Sequence, residues 1–359
     1  MLPPRNPDEI LKARGAAHRP AARFEPYHRI REDDGWNTAP RESLLRTEVS
    51  IERARSILTR NNSPDLGFDR SVNPYRGCEH GCIYCFARPS HAYLGMSPGL
   101  DFETRLIAKP DAPALLEREI GRRGYAVAPI AFGTNTDPYQ PIESQHGIMR
   151  GCLQVLAAWN HPLAIVTRGA TILRDTDILS AMAARGQVCV GVSLTTLDPT
   201  LARQMEPRAP TPATRLRMIR GLADAGVPVR VMVAPVIPVL TEPEIERILS
   251  AAADAGARSA SMIPLRLPLE VAPLFRDWLD RIHPGKAAHV MSRIQAMRGG
   301  RDNDPRFGSR MRGRGIEAEL MRQRFRLALR RHGLTRQGPV LDCSRFAPPP
   351  KAGDQLSLF

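Results

Sequence analysis

No stretch of this 359-residue chain is apolar for long enough to cross a bilayer, and its first residues lack the apolar run of a secretion signal. The expectation is therefore no membrane span and a cytoplasmic location. Cysteine is too sparse for a disulfide scaffold, six in all, yet three of the six fall within eight residues. In a reducing compartment such clustering points to metal binding. Cys152 shares an apolar helical face with Ile148 and Leu156, and Cys189 lies in an expected strand. Both read as small buried hydrophobes. Lysine is nearly missing: Lys12, Lys109, Lys286 and Lys351 are the only four among 51 basic residues. With abundant Ala and Pro, that bias suits a GC-rich genome. Such a bias does not explain why 51 basic residues face only 37 acidic ones, for a net charge of +14. That excess suggests a polyanionic partner, nucleic acid above all.

Residues 1–65 are rich in Arg, Pro and charge and read as a basic arm, with one helix expected around Glu42 to Leu58. From 66 to 270 strand-like runs (Val127–Phe132, Leu163–Thr167, Val188–Leu194, Val229–Ala234, Ala260–Leu265) alternate with helical patterns (Glu143–Trp159, Leu173–Arg185, Ala213–Ala225, Glu242–Ala255). Gly226 and Gly256 each follow an Ala where a left-handed helix stop is expected. Strand and helix repeating about every thirty residues predict a parallel sheet, hence an α/β barrel or doubly wound fold. In such barrels the reacting groups gather at the C-terminal strand ends. Residues 271–335 read as a helical extension and 336–359 as a loose tail; no internal repeat is apparent.

The segment from Asn73 to Cys85 carries Cys78-x3-Cys82-x2-Cys85. Three thiolates can hold three irons of a four-iron cluster and leave the fourth iron open to a chelating molecule. Gly77 and Gly81 would let the loop fold tightly around such a core. The alternative is zinc with His80 as fourth ligand, although zinc sites usually add a second ligand pair far off in sequence.

Cys78-x3-Cys82-x-Tyr84-Cys85 resembles the signature of the radical SAM superfamily. The stretch from about Asn61 to Gly315 is similar to the branch related to spore photoproduct lyase, often described as DNA repair photolyase-like. The run NPYRGCEHGCIYCFARPSHAYLG points to one bacterial subfamily within it. The resemblance implies a partial (β/α)6 TIM-like barrel, with N-terminal arm and C-terminal helical extension. It also implies a 4Fe-4S cluster, S-adenosyl-L-methionine (SAM) on the open iron, and an electron donor such as flavodoxin or ferredoxin. By the same resemblance Tyr84 would pack by the adenine, and Thr136 and Asp137 would meet the SAM amino group. Arg168 would reach the SAM carboxylate with a forked contact. Ser193 and Glu206 would face the ribose or methionine end, with Arg208 a further carboxylate partner. Asp137 as a plain helix cap remains the competing reading.

One departure matters. The lyase returns a hydrogen atom from a cysteine that here falls at or beside Thr134, and no cysteine lies between Cys85 and Cys152. A threonine hydroxyl is a poor hydrogen-atom donor. Tyr139 and Cys152 are alternatives that nothing singles out, so the catalytic residues beyond the cluster stay unassigned.

The chain ends Gln355-Leu356-Ser357-Leu358-Phe359, which resembles the pentapeptide by which bacterial polymerases and repair proteins dock on the DNA sliding clamp. Leu356, Leu358 and Phe359 would fill apolar pockets while Gln355 bonds at the rim. The competing reading folds them back onto the barrel. The expectation is a radical SAM enzyme acting on DNA near the clamp. The alternatives are modification of RNA or protein, and a non-enzymatic metal-cluster adaptor on the clamp.

Overall fold

The computed structural model describes residues 14–25 and 45–349, so the terminal Gln355–Phe359 motif and much of the arm lie outside the described residues. Among the described residues there are ten strands: β1 Glu48–Ile51, β2 Leu58–Arg60, β3 Arg70–Val72, β4 Tyr75–Arg76, β5 Arg105–Ala108, β6 Ile130–Phe132, β7 Leu163–Thr167, β8 Val188–Ser193, β9 Val229–Val236 and β10 Ser259–Pro264. Seven form one sheet in the order β10-β9-β8-β7-β6-β3-β2. Every pairing in it is parallel except β2 with β3. Six parallel strands with helices in the crossovers are the expected partial barrel, open between β10 and β2.

That opening is spanned by side chains. Arg310 donates to both oxygens of Asp65 at 2.8 and 2.6 Å, and the Gly308 amide adds a third bond. Asp65 belongs to the β2–β3 connection, whereas Arg310 sits on the short helix Ser309–Arg312 that packs on β10. A latch thus joins the two ends of the sheet.

The expected helix over Glu42–Leu58 does not form in its described part, 45–58. Residues Glu48–Ile51 instead pair in parallel with β5, and β2 starts at Leu58. Thr47, Val49 and Ile51 are β-branched, and the unpaired edge of β5 supplies the ladder that charge patterning could not reveal. The expected helix over Glu143–Trp159 is broken in two, Glu143–His146 and Ile148–Ala158, by Gly147 at φ 61°. The reason is Glu143, whose buried carboxylate turns back to accept from the Met149 amide at 3.1 Å and caps the second piece. Gly226 and Gly256 do take positive φ.

The main core lies between sheet and helices, built from β-strand Val and Ile with Met149, Leu153, Met218 and Ile248. A second core joins Leu274, Phe275, Trp278 and Ile294 of the C-terminal helices to Cys82, Ile83 and Tyr84. The extension therefore packs directly behind the cysteine loop.

Candidate active site

The cysteine loop follows β3 through the two-residue strand β4 and doubles back on itself through Gly81 N donating to Cys78 O and Cys85 N to Cys82 O. Gly81 has φ 67°, and a Cβ there would stand 2.7 Å from a Glu103 carboxylate oxygen, so only glycine fits. Behind the loop lies the fully buried Arg88, which donates to the carbonyls of Gly81, Cys82 and Gly99 at 3.1, 2.9 and 2.9 Å and to Glu103 at 2.5 Å. Glu103 in turn accepts the amides of Gly15 and Ala16, both at 2.9 Å. The arm segment around 14–16 is thereby fastened to the back of the loop. Sequence reading missed this brace.

Cys78 and Cys82 are buried and Cys85 is partly exposed. Burial pushes all three thiols up, Cys82 to about 12 even beside a cationic Arg168, so metal must displace protons to bind. Arg168 Nη1 lies 2.8 Å from Cys82 Sγ, ready to offset thiolate charge. Among the described residues, no three His, Cys, Asp or Glu side chains converge on a point that would hold a single ion. A four-iron cluster asks for something different, one thiolate per iron. The donor set and the charge placed against it fit that group. His80 turns its Nδ1 toward Asp137, 3.4 Å away.

Asp137, on the loop after β6, accepts three hydrogen bonds from the chain itself. Its Oδ1 accepts from Tyr139 N at 2.9 Å and Thr167 Oγ1 at 2.6 Å; its Oδ2 accepts from Arg168 N at 2.9 Å and faces His80. Burial would raise its pKa, but His80 and these donors outweigh that and hold it at about 2. Thr136 is buried and donates to Tyr75 O at 2.9 Å.

Arg168, at the end of β7, joins a buried charge cluster. Its Nη1 bonds Tyr84 Oη at 2.9 Å and Glu206 Oε1 at 3.0 Å. Glu206 also accepts from Tyr84, from Thr195 Oγ1 at 3.0 Å and from Arg215. Burial would raise the Glu206 carboxyl, and Arg215 and Arg168 together bring it to about 2. Ser193 is buried at the end of β8, its carbonyl receiving Arg215 Nη1 at 3.2 Å. Arg208 stands apart from this group and pairs with Glu79 at 3.1 Å. Arg215 was missed, yet a signal existed: it shares the buried face of helix Pro212–Asp224 with Met218, Ile219 and Leu222. An arginine on an apolar face needs a buried carboxylate.

Thr134, three residues before Asp137, receives a bond from Asn73 Nδ2 at 3.3 Å. Tyr139 and Cys152 are turned away from the site. Tyr139 is buried with its hydroxyl on Asp175 at 3.1 Å, and Cys152 lies in the main core.

The radical SAM superfamily profile matches residues 72–252. An uncharacterised protein of Mycobacterium tuberculosis is 41% identical over 225 residues, 62% of this chain and 66% of that protein. The match thus spans just under two thirds of that relative. An uncharacterised protein of Methanocaldococcus jannaschii is 24% identical over 56% of this chain and 73% of its own. Among solved structures, spore photoproduct lyase with bound AdoMet and dinucleoside spore photoproduct superposes with a TM-score of 0.58 at 17% identity. That superposition covers 80% of this chain and 81% of the lyase, and shows a shared fold.

Proposed function

This chain belongs to the radical SAM superfamily, and on that premise we propose an enzyme that acts on DNA. Its cofactors are a 4Fe-4S cluster and SAM. When bound, the cluster supplies the electron that cleaves SAM reductively to methionine and a 5′-deoxyadenosyl radical, which takes a hydrogen atom from substrate.

The chain's own residues set up that chemistry. Cys78, Cys82 and Cys85 hold the irons on a loop stiffened by Arg88 and Glu103. Arg168, pinned by Glu206 and Tyr84, presents a permanent positive charge for the SAM carboxylate. Asp137, accepting from Tyr139, Thr167 and Arg168 with His80 3.4 Å away, orients the β6 and β7 loops around the SAM amino group. Thr136, Ser193 and Glu206 wall the pocket, and Arg208 steadies Glu79 at its rim.

The observation that carries the DNA reading is the net charge of +14 on a chain of this size. The fold shared with a lyase solved with a dinucleoside photoproduct agrees with it. The lyase's thymine chemistry is not carried over, because the position of its hydrogen-returning cysteine falls at or beside Thr134 and no cysteine lies between Cys85 and Cys152. The test is anaerobic reconstitution with SAM and dithionite, followed by a search for deuterium exchange between 5′-deoxyadenosine and DNA, RNA or protein. Deuterium in DNA is expected, and Cys82→Ala should lose both the brown colour and SAM cleavage. Label entering only RNA or protein would reject DNA as substrate; iron-free, zinc-loaded protein from air-free preparation would reject the whole reading.

A further inference from the structure

Where the open side of the barrel meets the β2–β3 connection, a groove of about 650 Å³ is lined by Gly67, Arg230, Arg312, Arg336, Gln337 and Gly338. No carboxylate lines it. Nearby arginines each have an acidic partner: Arg310 has Asp65, Arg322 and Arg326 share Glu319, and Arg324 has Glu242 and Glu246. Among the described residues no such ion pair reaches Arg230, Arg312 or Arg336. Arg230 is steadied through neutral contacts only, to Ser259 Oγ and the Arg336 carbonyl, both at 3.4 Å. A Cβ at residue 338 would stand 2.9 Å from Arg230 Nη2, so Gly338 leaves room for that guanidinium. Three guanidinium groups with no ion-pair partner among the described residues repel one another, and a run of phosphates would relieve that repulsion through forked contacts.

The groove also has a direction. A second hollow of about 300 Å³ shares Arg312 and Arg336 and includes Met311 and Glu319, whose carboxylate is taken up by Arg322 and Arg326. Met311 Sδ lies 3.2 Å from Arg266 Nη1, and the Arg266 guanidinium is 5.9 Å from the centre of the Phe86 ring. Phe86 directly follows Cys85 and is 51% exposed. We propose that Arg230, Arg312 and Arg336 grip the phosphodiester backbone of DNA outside the cluster pocket and lead a neighbouring nucleotide to Phe86. This rests on the DNA reading above.

The test is fluorescence polarisation of a labelled duplex with the reconstituted full chain over a salt series. The combined variant Arg230→Gln/Arg312→Gln/Arg336→Gln should bind at least about tenfold more weakly at low salt. Its log-log salt dependence should be shallower by roughly two to three, as expected for three lost phosphate contacts. A charge-matched control, Arg122→Gln/Arg123→Gln/Arg217→Gln, should keep the wild-type slope, and SAM cleavage without DNA should be unchanged in both. If the triple variant folds poorly, Arg312→Glu/Arg336→Glu changes only exposed side chains and should show the same loss. Equal losses in control and groove variants would overturn the proposal as mere net charge. Unchanged DNA binding in the groove variants would overturn the groove and leave the DNA reading standing. RNA bound in place of DNA, with the same loss, would overturn DNA as the occupant; wild-type chain that binds neither would overturn both.

Discussion

Arg168 and Asp137 stand side by side at the strand ends, but their partners give them different duties. Arg168→Ala leaves Glu206 paired with Arg215, so the fold should survive with iron retained. Losing a charge-assisted contact worth about 1.5–3 kcal/mol should weaken SAM binding roughly ten- to a hundredfold. Asp137→Ala strips Thr167, Tyr139 and Arg168 of a shared acceptor, and should lower both melting temperature and SAM affinity. Equilibrium dialysis with SAM, beside thermal unfolding, separates the two; an Arg168→Ala protein that loses iron would make that residue structural. His161 offers a pH handle away from the cysteines. It is buried, its Nδ1 facing Pro162 O at 2.9 Å and its Nε2 facing Tyr125 Oη at 2.8 Å. Burial depresses its pKa from 6.5 to about 4. The unfolded chain therefore binds the proton more readily. The stability is fully present above pH 6.5 and is lost as pH falls toward 4, by at most about 3 kcal/mol. Urea unfolding across that window should show the slope, and His161→Gln should flatten it.

Among the elements, the latch between the β2–β3 connection and helix Ser309–Arg312 has a measurable role. Asp65 and Arg310 are both mostly buried, at 11% and 19% side-chain exposure, so their forked pair is worth more than a surface contact. Asp65→Asn should cost about 1–2 kcal/mol. It should also speed amide exchange in β10 and β2, the end strands of the seven-stranded sheet, while β7 and β8 stay protected. Uniformly faster exchange would mean that the pair supports the whole barrel. The brace of Arg88 and Glu103 belongs to the same level: it converts a long loop into a rigid shelf by satisfying carbonyls and amides that burial would otherwise leave unpaired.

For the molecule as a whole, the tail and the barrel are expected to work independently. Leu358 and Phe359 are large apolar groups at the end of a Pro- and Gly-containing stretch, and burying each in a clamp groove is worth about 1.5–3 kcal/mol. After ordering costs, the resemblance of Gln355–Phe359 to clamp-docking peptides predicts a micromolar-like affinity. Deleting Gln355–Phe359 should abolish sliding-clamp binding, measured by surface plasmon resonance, and leave SAM cleavage unchanged. A deletion that instead lowers the melting temperature by several degrees would assign those side chains to the barrel's own core.

The cysteine spacing, the alternation of strand and helix, and the charge excess were legible in the residues, because each is a short-range or additive property. Cys78, Cys82 and Cys85 needed no neighbours to be recognised, and Leu163–Thr167 read as a buried strand from its own pattern. The rest depended on contacts across long separations. Arg215 and Arg168 meet Glu206, Gly15 meets Glu103, and Asp65 meets Arg310, and no local pattern announces such pairs. Residues 45–58 were misread for the same reason: a strand forms there because β5 offers an edge. The three arginines of the groove, without an ion-pair partner among the described residues, are individually ordinary. Only the barrel's open side brings Arg230, Arg312 and Arg336 together with no carboxylate between them.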